Sequence, residues 1–185
     1  MVPLTALWLP IVLSAVIVFI GSSIMHMVLP YHRSDYQKLP DEDNVLASLR
    51  AAGVKRGLYM FPFCTHKDMK TQAMMDKFKQ GPVGILTMFP SGPVVMPKFL
   101  GLWFGYCLII SIFAAYLTGR TLAPGASYLA VHRVAGCAAF MAYGLGHISD
   151  SIWKRQPWSV TAKEVFDGLI YGSLTGGTFG WLWPH

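Results

Sequence analysis

Four apolar stretches, each long enough to cross the ~30 Å hydrocarbon layer of a bilayer, dominate this sequence and limit what it can fold into. They lie within residues 1–30 and over about 99–118, 128–149 and 165–183, and nearly all charged residues fall between them. Charged residues make up 13% of the chain and apolar residues 54%, whereas a soluble domain carries about a quarter charged residues. The expected fold is an all-α membrane protein: four transmembrane helices, with a small α+β module over residues 31–98 between the first and second.

The first span runs from about Leu4 to Leu29, with Trp8 near one interface, Pro10 in the first turns where a missing N–H costs least, and Pro30 at its end. It has neither the basic leader nor the A-x-A cleavage site of a secretory signal, so it reads as a retained anchor. The second span, Phe99–Thr118, connects through Gly119-Arg120 and Pro124-Gly125 to a third, Tyr128–Ser149. A loop over Asp150–Lys163 places Trp153 and Trp158 beside Lys154 and Arg155, an interfacial composition, before the fourth span, Val165–Trp183.

Ten of the fifteen Lys and Arg residues lie between Tyr31 and Lys98, and Lys154, Arg155 and Lys163 follow in the third loop. The opposite side has only Arg120 and the nearby Arg133. The positive-inside rule therefore predicts a cytoplasmic module, with both termini periplasmic. The net charge of +6 is thus a topology signal. The basic residues form no stripe with aromatic platforms, which argues against nucleic-acid binding. Cys64, Cys107 and Cys137 are far apart and lack CxxC spacing, so neither a disulfide framework nor a structural zinc site is expected.

Within the module, Asp41 followed by Glu42 and Asp43, with Gly53 after Arg50, predicts a short helix over 42–52 capped by Asp41. A second helix is predicted over Lys67–Lys79, closed by Gly81-Pro82, with Met69, Ala73, Met74 and Phe78 as its apolar stripe. Gly57–Pro62 reads as a strand, and Val83–Phe89 with Pro93–Met96 reads as a hairpin turning at Pro90-Ser91-Gly92. So small a unit rarely builds its own core, and it is expected to lean on membrane helices, lipid headgroups or a partner.

Three features bear on function. Gly168, Gly172, Gly176 and Gly180 recur every four residues, a nearly straight seam suited to close helix packing, either against the small residues Ala135, Gly136, Ala139 and Gly144 of the third span or against another protein. His132 and His147 lie on the third span about 22 Å apart along the axis and about 60° apart around it. With His26 and His185 near other span ends, they suit axial ligation of haem b or chlorophyll, His26 opposite His147 and His185 opposite His132. Third, His26, His32, Asp35, Asp150 and Asp167 gather near one membrane face, where imidazole and carboxylate together suit iron, zinc or manganese. No Glu-x-x-His pair is present, so the helical di-iron signature is missing. Charge pairing, such as Lys163 with Asp167 at i, i+4, is the simpler reading, although Asp167 is the deepest acid of its span and for that reason a functional candidate. No G-x-S-x-G elbow and no nucleotide-binding glycine loop is found.

The order of these features, with SDYQKLPDED after the first span, a W-x-x-x-P-W loop and a GLIYG…GTFGWLWP ending, resembles a group of small bacterial four-span membrane proteins without an assigned function. That resemblance implies a bacterial inner membrane and supplies no catalytic residues. The expectation from sequence is a non-catalytic accessory or scaffold subunit, docking onto other membrane-protein subunits, for instance in an electron-transfer or photosynthetic complex, through the glycine seam and the module. The alternatives are a haem- or chlorophyll-binding electron-transfer protein and a metal-dependent membrane enzyme.

Overall fold

The computed structural model describes residues Met1–His185. In chain order its elements are α1 (Trp8–Ser23), α2 (Glu42–Ala51), β1 (Gly57–Phe61), α3 (Gln72–Gln80), β2 (Gly84–Met88), α4 (Met96–Thr121), α5 (Tyr128–Tyr143), α6 (Ile148–Trp153) and α7 (Trp158–Trp181). They form two compact units: Met1–Tyr36 with Val95–His185, and Gln37–Val94.

The first unit is an up-and-down bundle of α1, α4, α5 and α7 in which each helix packs against two others. Cross-helix contacts fix the directions. The buried Ser14 hydroxyl donates to Ser111 Oγ at 3.0 Å and Trp103 Nε1 donates to Ser22 Oγ at 2.8 Å, so α4 runs antiparallel to α1. Tyr106, in the first half of α4, donates to the carbonyl of Ala142, near the end of α5. Val2 N–H bonds Gly119 O and Gly125 N–H bonds Pro184 O, so both chain ends meet the α4–α5 connection at one end of the bundle.

Three helical segments are long and apolar enough to cross a membrane: Leu4–Val28, Met96–Thr121 and Tyr128–Trp153. α7 matches them in length, but its glycines and its acids Glu164 and Asp167 dilute its apolar character. It begins at Trp158, seven residues before the expected start at Val165, because Pro157 is favoured just ahead of a helix and the polar turn Ser159–Lys163 continues into the apolar stretch without a break. The supposed loop over Asp150–Lys163 therefore shrinks to the few residues between α6 and α7. The third span is also less regular than expected, since α5 stops at Tyr143 and a 3-10 turn over Leu145–His147 leads into α6.

The bundle interior is small and partly polar, with Ser14, Ser111, Thr118, Thr175 and Asp167 buried among Ala15, Ala115, Ala135 and Ala139. Large apolar side chains such as Ile20, Leu102, Ile109, Phe113, Phe166 and Trp181 point outward. Soluble bundles sort their residues the other way.

The glycine seam is filled from within the chain. A Cβ on Gly172 would lie 2.8 Å from Gly136 O, and one on Gly176 would lie 2.6 Å from His132 O. Gly168 abuts Gly144, and Gly180 abuts the Tyr128 ring. The seam thus brings α5 and α7 into backbone contact, the first of the two packings expected for it.

The second unit contains α2, α3 and a two-stranded antiparallel sheet pairing Gly57 with Met88 through Phe61 with Gly84. β2 pairs with β1 across α3, and residues 93–95 form no strand, so the expected hairpin at Pro90-Ser91-Gly92 is replaced. Both helices occur, with two corrections. α3 begins at Gln72, after the Thr71 hydroxyl that accepts from Met74 N–H. Asp41 adopts a left-handed conformation and its carboxylate accepts from the Asn44 side chain, so it makes no cap bond to the α2 backbone.

Candidate metal centre

At the end of the bundle away from the termini, the helical path of the first span changes twice. Ile24–Val28 widens into a π-helical turn carrying His26, and Pro30–Ser34 tightens into a 3-10 turn carrying His32. Together these bring the two imidazoles face to face, with centroids 4.2 Å apart. Single π turns recur at functional sites because the extra residue re-aims a side chain without ending the helix.

Both rings point at Asp167 of α7, which is 3% exposed. His32 Nε2 lies 2.8 Å and His26 Nε2 3.4 Å from the same carboxylate oxygen, Oδ2. Tyr31 donates its phenol to the other oxygen, Oδ1. The far nitrogen of His32, Nδ1, lies 2.6 Å from Asp35 Oδ2, and Lys163 holds Asp35 Oδ1 at 2.6 Å. Lys163 Nζ also donates to Tyr31 O at 2.6 Å and to Ser34 Oγ at 2.8 Å, tying the start of α7 to the 3-10 turn.

The electrostatics follow from this geometry. Burial pushes Asp35 up, but hydrogen bonds from Lys163 and His32 and the charges behind them outweigh it and hold its carboxyl below the usual range. Burial, helped by the bond to Asp167, pushes the Tyr31 phenol up, so it stays a donor. An ionised carboxylate only accepts, so the bond to Asp35 Oδ2 is donated by His32 Nδ1, and Lys163 supplies a balancing charge beside it.

The ligand atoms of His26, His32 and Asp167 lie within 4.8 Å of one another. Two ligands on a tetrahedral ion at about 2.0–2.1 Å stand about 3.3–3.4 Å apart. The His26–Asp167 separation of 3.4 Å has that value already, and the His32–Asp167 separation needs only to open by about half an ångström. Asp35 on the distal nitrogen of His32 is the outer carboxylate that typically fixes the tautomer of a metal-bound imidazole. A cleft of about 250 Å³ lined by His26, His32, Asp35, Gln156 and Glu164 gives access from outside.

Of the five residues expected to form a metal cluster, the structure brings together His26, His32, Asp35 and Asp167. Asp150 stands apart, paired with Lys154 at 2.7 Å as i, i+4 neighbours on one helical turn. The expected pairing of Lys163 with Asp167 is also replaced, because the Lys163 ammonium reaches Asp35 instead. The other expected haem ligands occupy separate settings. His147 lies 3.4 Å from Glu164, itself held by Gln156; His132 packs on the Tyr128 ring; and His185 is exposed at the chain end. Tyr31 and Lys163 are members of the cluster that sequence reasoning missed, the first because a tyrosine beside a span end is ordinary belt material, the second because a nearer acid competed for it.

The chain matches no protein-family model, no curated protein and no solved structure.

Proposed function

We propose that this chain is a four-span inner-membrane protein that binds a divalent transition-metal ion at its cytoplasmic end through His26, His32 and Asp167. The observation that carries the reading is the convergence of two imidazole nitrogens on one oxygen of a buried carboxylate. A carboxylate oxygen can accept two hydrogen bonds, but two stacked imidazoles and a buried carboxylate whose ligand atoms lie within 4.8 Å of one another also form a set of donors at ligand spacing. The donor set of two imidazoles and a carboxylate suits zinc or ferrous iron. Three protein ligands leave a tetrahedral ion one position for water or for a group entering through the cleft, as at ions that act chemically. In this reading the ion takes the place of the contact between His32 Nε2 and Asp167, while Asp35, Lys163 and Tyr31 keep their places.

The membrane setting draws support from the three long apolar segments, the outward-facing large side chains and the polar interior. α7, at 24 residues, completes the bundle as the fourth wall, and we read the whole helix as the fourth span on that length and on its packing against α1 and α5. The concentration of Lys and Arg in the first and third connections favours a cytoplasmic position for the metal end, and the resemblance described above favours a bacterial inner membrane. The accessory-subunit reading loses support because its seam is filled by α5.

The test is Co²⁺ titration of the purified protein, followed by its d–d absorption, with Zn²⁺ competition. One ion per chain is expected, with binding lost in His26→Ala/His32→Ala and kept in His132→Ala/His147→Ala. Absence of stoichiometric binding of Co²⁺, Zn²⁺ or Fe²⁺ overturns the proposal, and a Soret band sensitive to His132→Ala or His147→Ala favours the haem alternative.

A further inference from the structure

The unit over Gln37–Val94 has no buried residue at all. Its sheet is apolar on both faces. By the strand register, Leu58 and Met60 share one face with Thr87 and Ile85, while Tyr59 and Phe61 share the other with Leu86 and Gly84. The first face is the more open, with Leu58 71% and Met60 56% exposed, and Phe63 beside it is 76% exposed. Leu58, Tyr59, Met60, Phe63 and Ile85 together line an apolar hollow. Such a surface left in water would cost more than the folding of so small a unit returns.

Charge identifies the cover. The unit carries eight Lys and Arg against five Asp and Glu. Lys55 and Arg56 immediately precede β1, and Lys67 and Lys70 follow Phe63, so basic residues flank the apolar segment on both sides in the chain, all of them exposed. Of the five acids, Asp41, Glu42 and Asp43 lie at the start of α2 and Asp76 on α3, while Asp68 sits between Lys67 and Lys70. Both ends of the unit continue into segments that lead to membrane-length helices, at Tyr36 and Val95. An apolar face flanked in the chain by exposed lysine and arginine, in a unit tethered at both ends, is complementary to the boundary between anionic headgroups and acyl chains.

We infer that this unit is a peripheral anionic-lipid-binding module: the face of Leu58, Met60, Ile85 and Phe63 enters the acyl boundary, while Lys55, Arg56, Lys67 and Lys70 engage phosphate headgroups. The interaction is independent of the metal centre. Each basic residue near an anionic surface contributes about fivefold to the binding constant and loses that advantage at high salt.

The full chain in nanodiscs tests this. In a cysteine-free background, a spin label at Phe63→Cys is expected to collide more with dissolved oxygen than with water-soluble NiEDDA in 7:3 POPC:POPG. In pure POPC, or after Lys55, Arg56, Lys67 and Lys70 are changed to Gln, the order reverses. A label at Ala47→Cys on α2 remains water-accessible throughout. Because Phe63→Cys could unfold the unit, trypsin digestion of the unsubstituted chain gives a second reading: cleavage at Lys67 and Lys70 slows at least fivefold in POPG-containing discs, and 1 M KCl restores it. Equal NiEDDA access and equal cleavage in both lipid compositions overturn the inference. So does protection that depends on protein concentration and ignores POPG, which assigns the face to a second copy or another protein.

Discussion

His32 bridges two acids that lie on different elements: its Nδ1 faces Asp35 at 2.6 Å and its Nε2 faces Asp167 at 2.8 Å. The nearer acid sets the ring orientation and the farther one shares the ligand site. Asp35→Asn is therefore expected to weaken Co²⁺ or Zn²⁺ binding by about 10- to 100-fold while leaving the stoichiometry at one. Competition titration against a chelator of known affinity measures it, and an unchanged affinity removes Asp35 from the site.

Lys163 makes three bonds to the segment after the first span, so Lys163→Met deprives Asp35 of its cation and Tyr31 O of a donor. A stability loss of about 2 kcal/mol is expected, the scale of hydrogen bonds to charged groups. Pairing it with Asp35→Asn in a double-mutant cycle in detergent separates the ion pair from the other two bonds. A coupling energy near zero would show that the pair contributes nothing beyond its separate parts.

Close approach of α5 and α7 predicts opposite outcomes for adjacent glycines. Gly176→Ala places a methyl 2.6 Å from the His132 carbonyl and pushes two backbones apart, whereas a Cβ on Gly177 meets only the Tyr128 hydroxyl at 3.4 Å. Gly176→Ala should lower the thermal midpoint in detergent sharply. Gly177→Ala should leave it unchanged or raise it, since alanine gains about 0.5–1 kcal/mol over glycine inside a helix. Equal midpoints for the two would mean that the helices are not in backbone contact.

Ser14 and Ser111 share a hydrogen bond inside the bundle, where no water competes. Bonds of this kind between membrane helices average about 0.6 kcal/mol. A cycle of Ser14→Ala and Ser111→Ala should return a coupling of about that size, and a value of zero or opposite sign would mean the two hydroxyls do not bond across α1 and α4.

The apolar segments were legible because length and composition alone decide them, and the module's helices because Gly53 and Gly81 mark their ends. Strand positions could be read from Gly57–Phe61 and Gly84–Met88, but their pairing could not, since β2 bypasses its sequence neighbours to reach β1 across α3. Of the site, the acid depth of Asp167 and the nearness of His26, His32 and Asp35 to a span end were visible. The convergence of the two histidines was not, because it depends on a π turn followed by a 3-10 turn, and neither leaves a periodic signal. Asp150 was misassigned for a simple reason: a lysine one helical turn away satisfies it.

The 135 residues separating His32 from Asp167 impose an order on biosynthesis. When the segment bearing Tyr31, His32 and Asp35 leaves the ribosome, its counterparts Lys163 and Asp167 have yet to be translated. Only after the last helix is laid beside the first do the acids, imidazoles and ammonium meet. Closure of this cluster thus requires the last helix to have joined the first, and a chain halted short of α7 would leave Asp35 without Lys163 and His32 without Asp167.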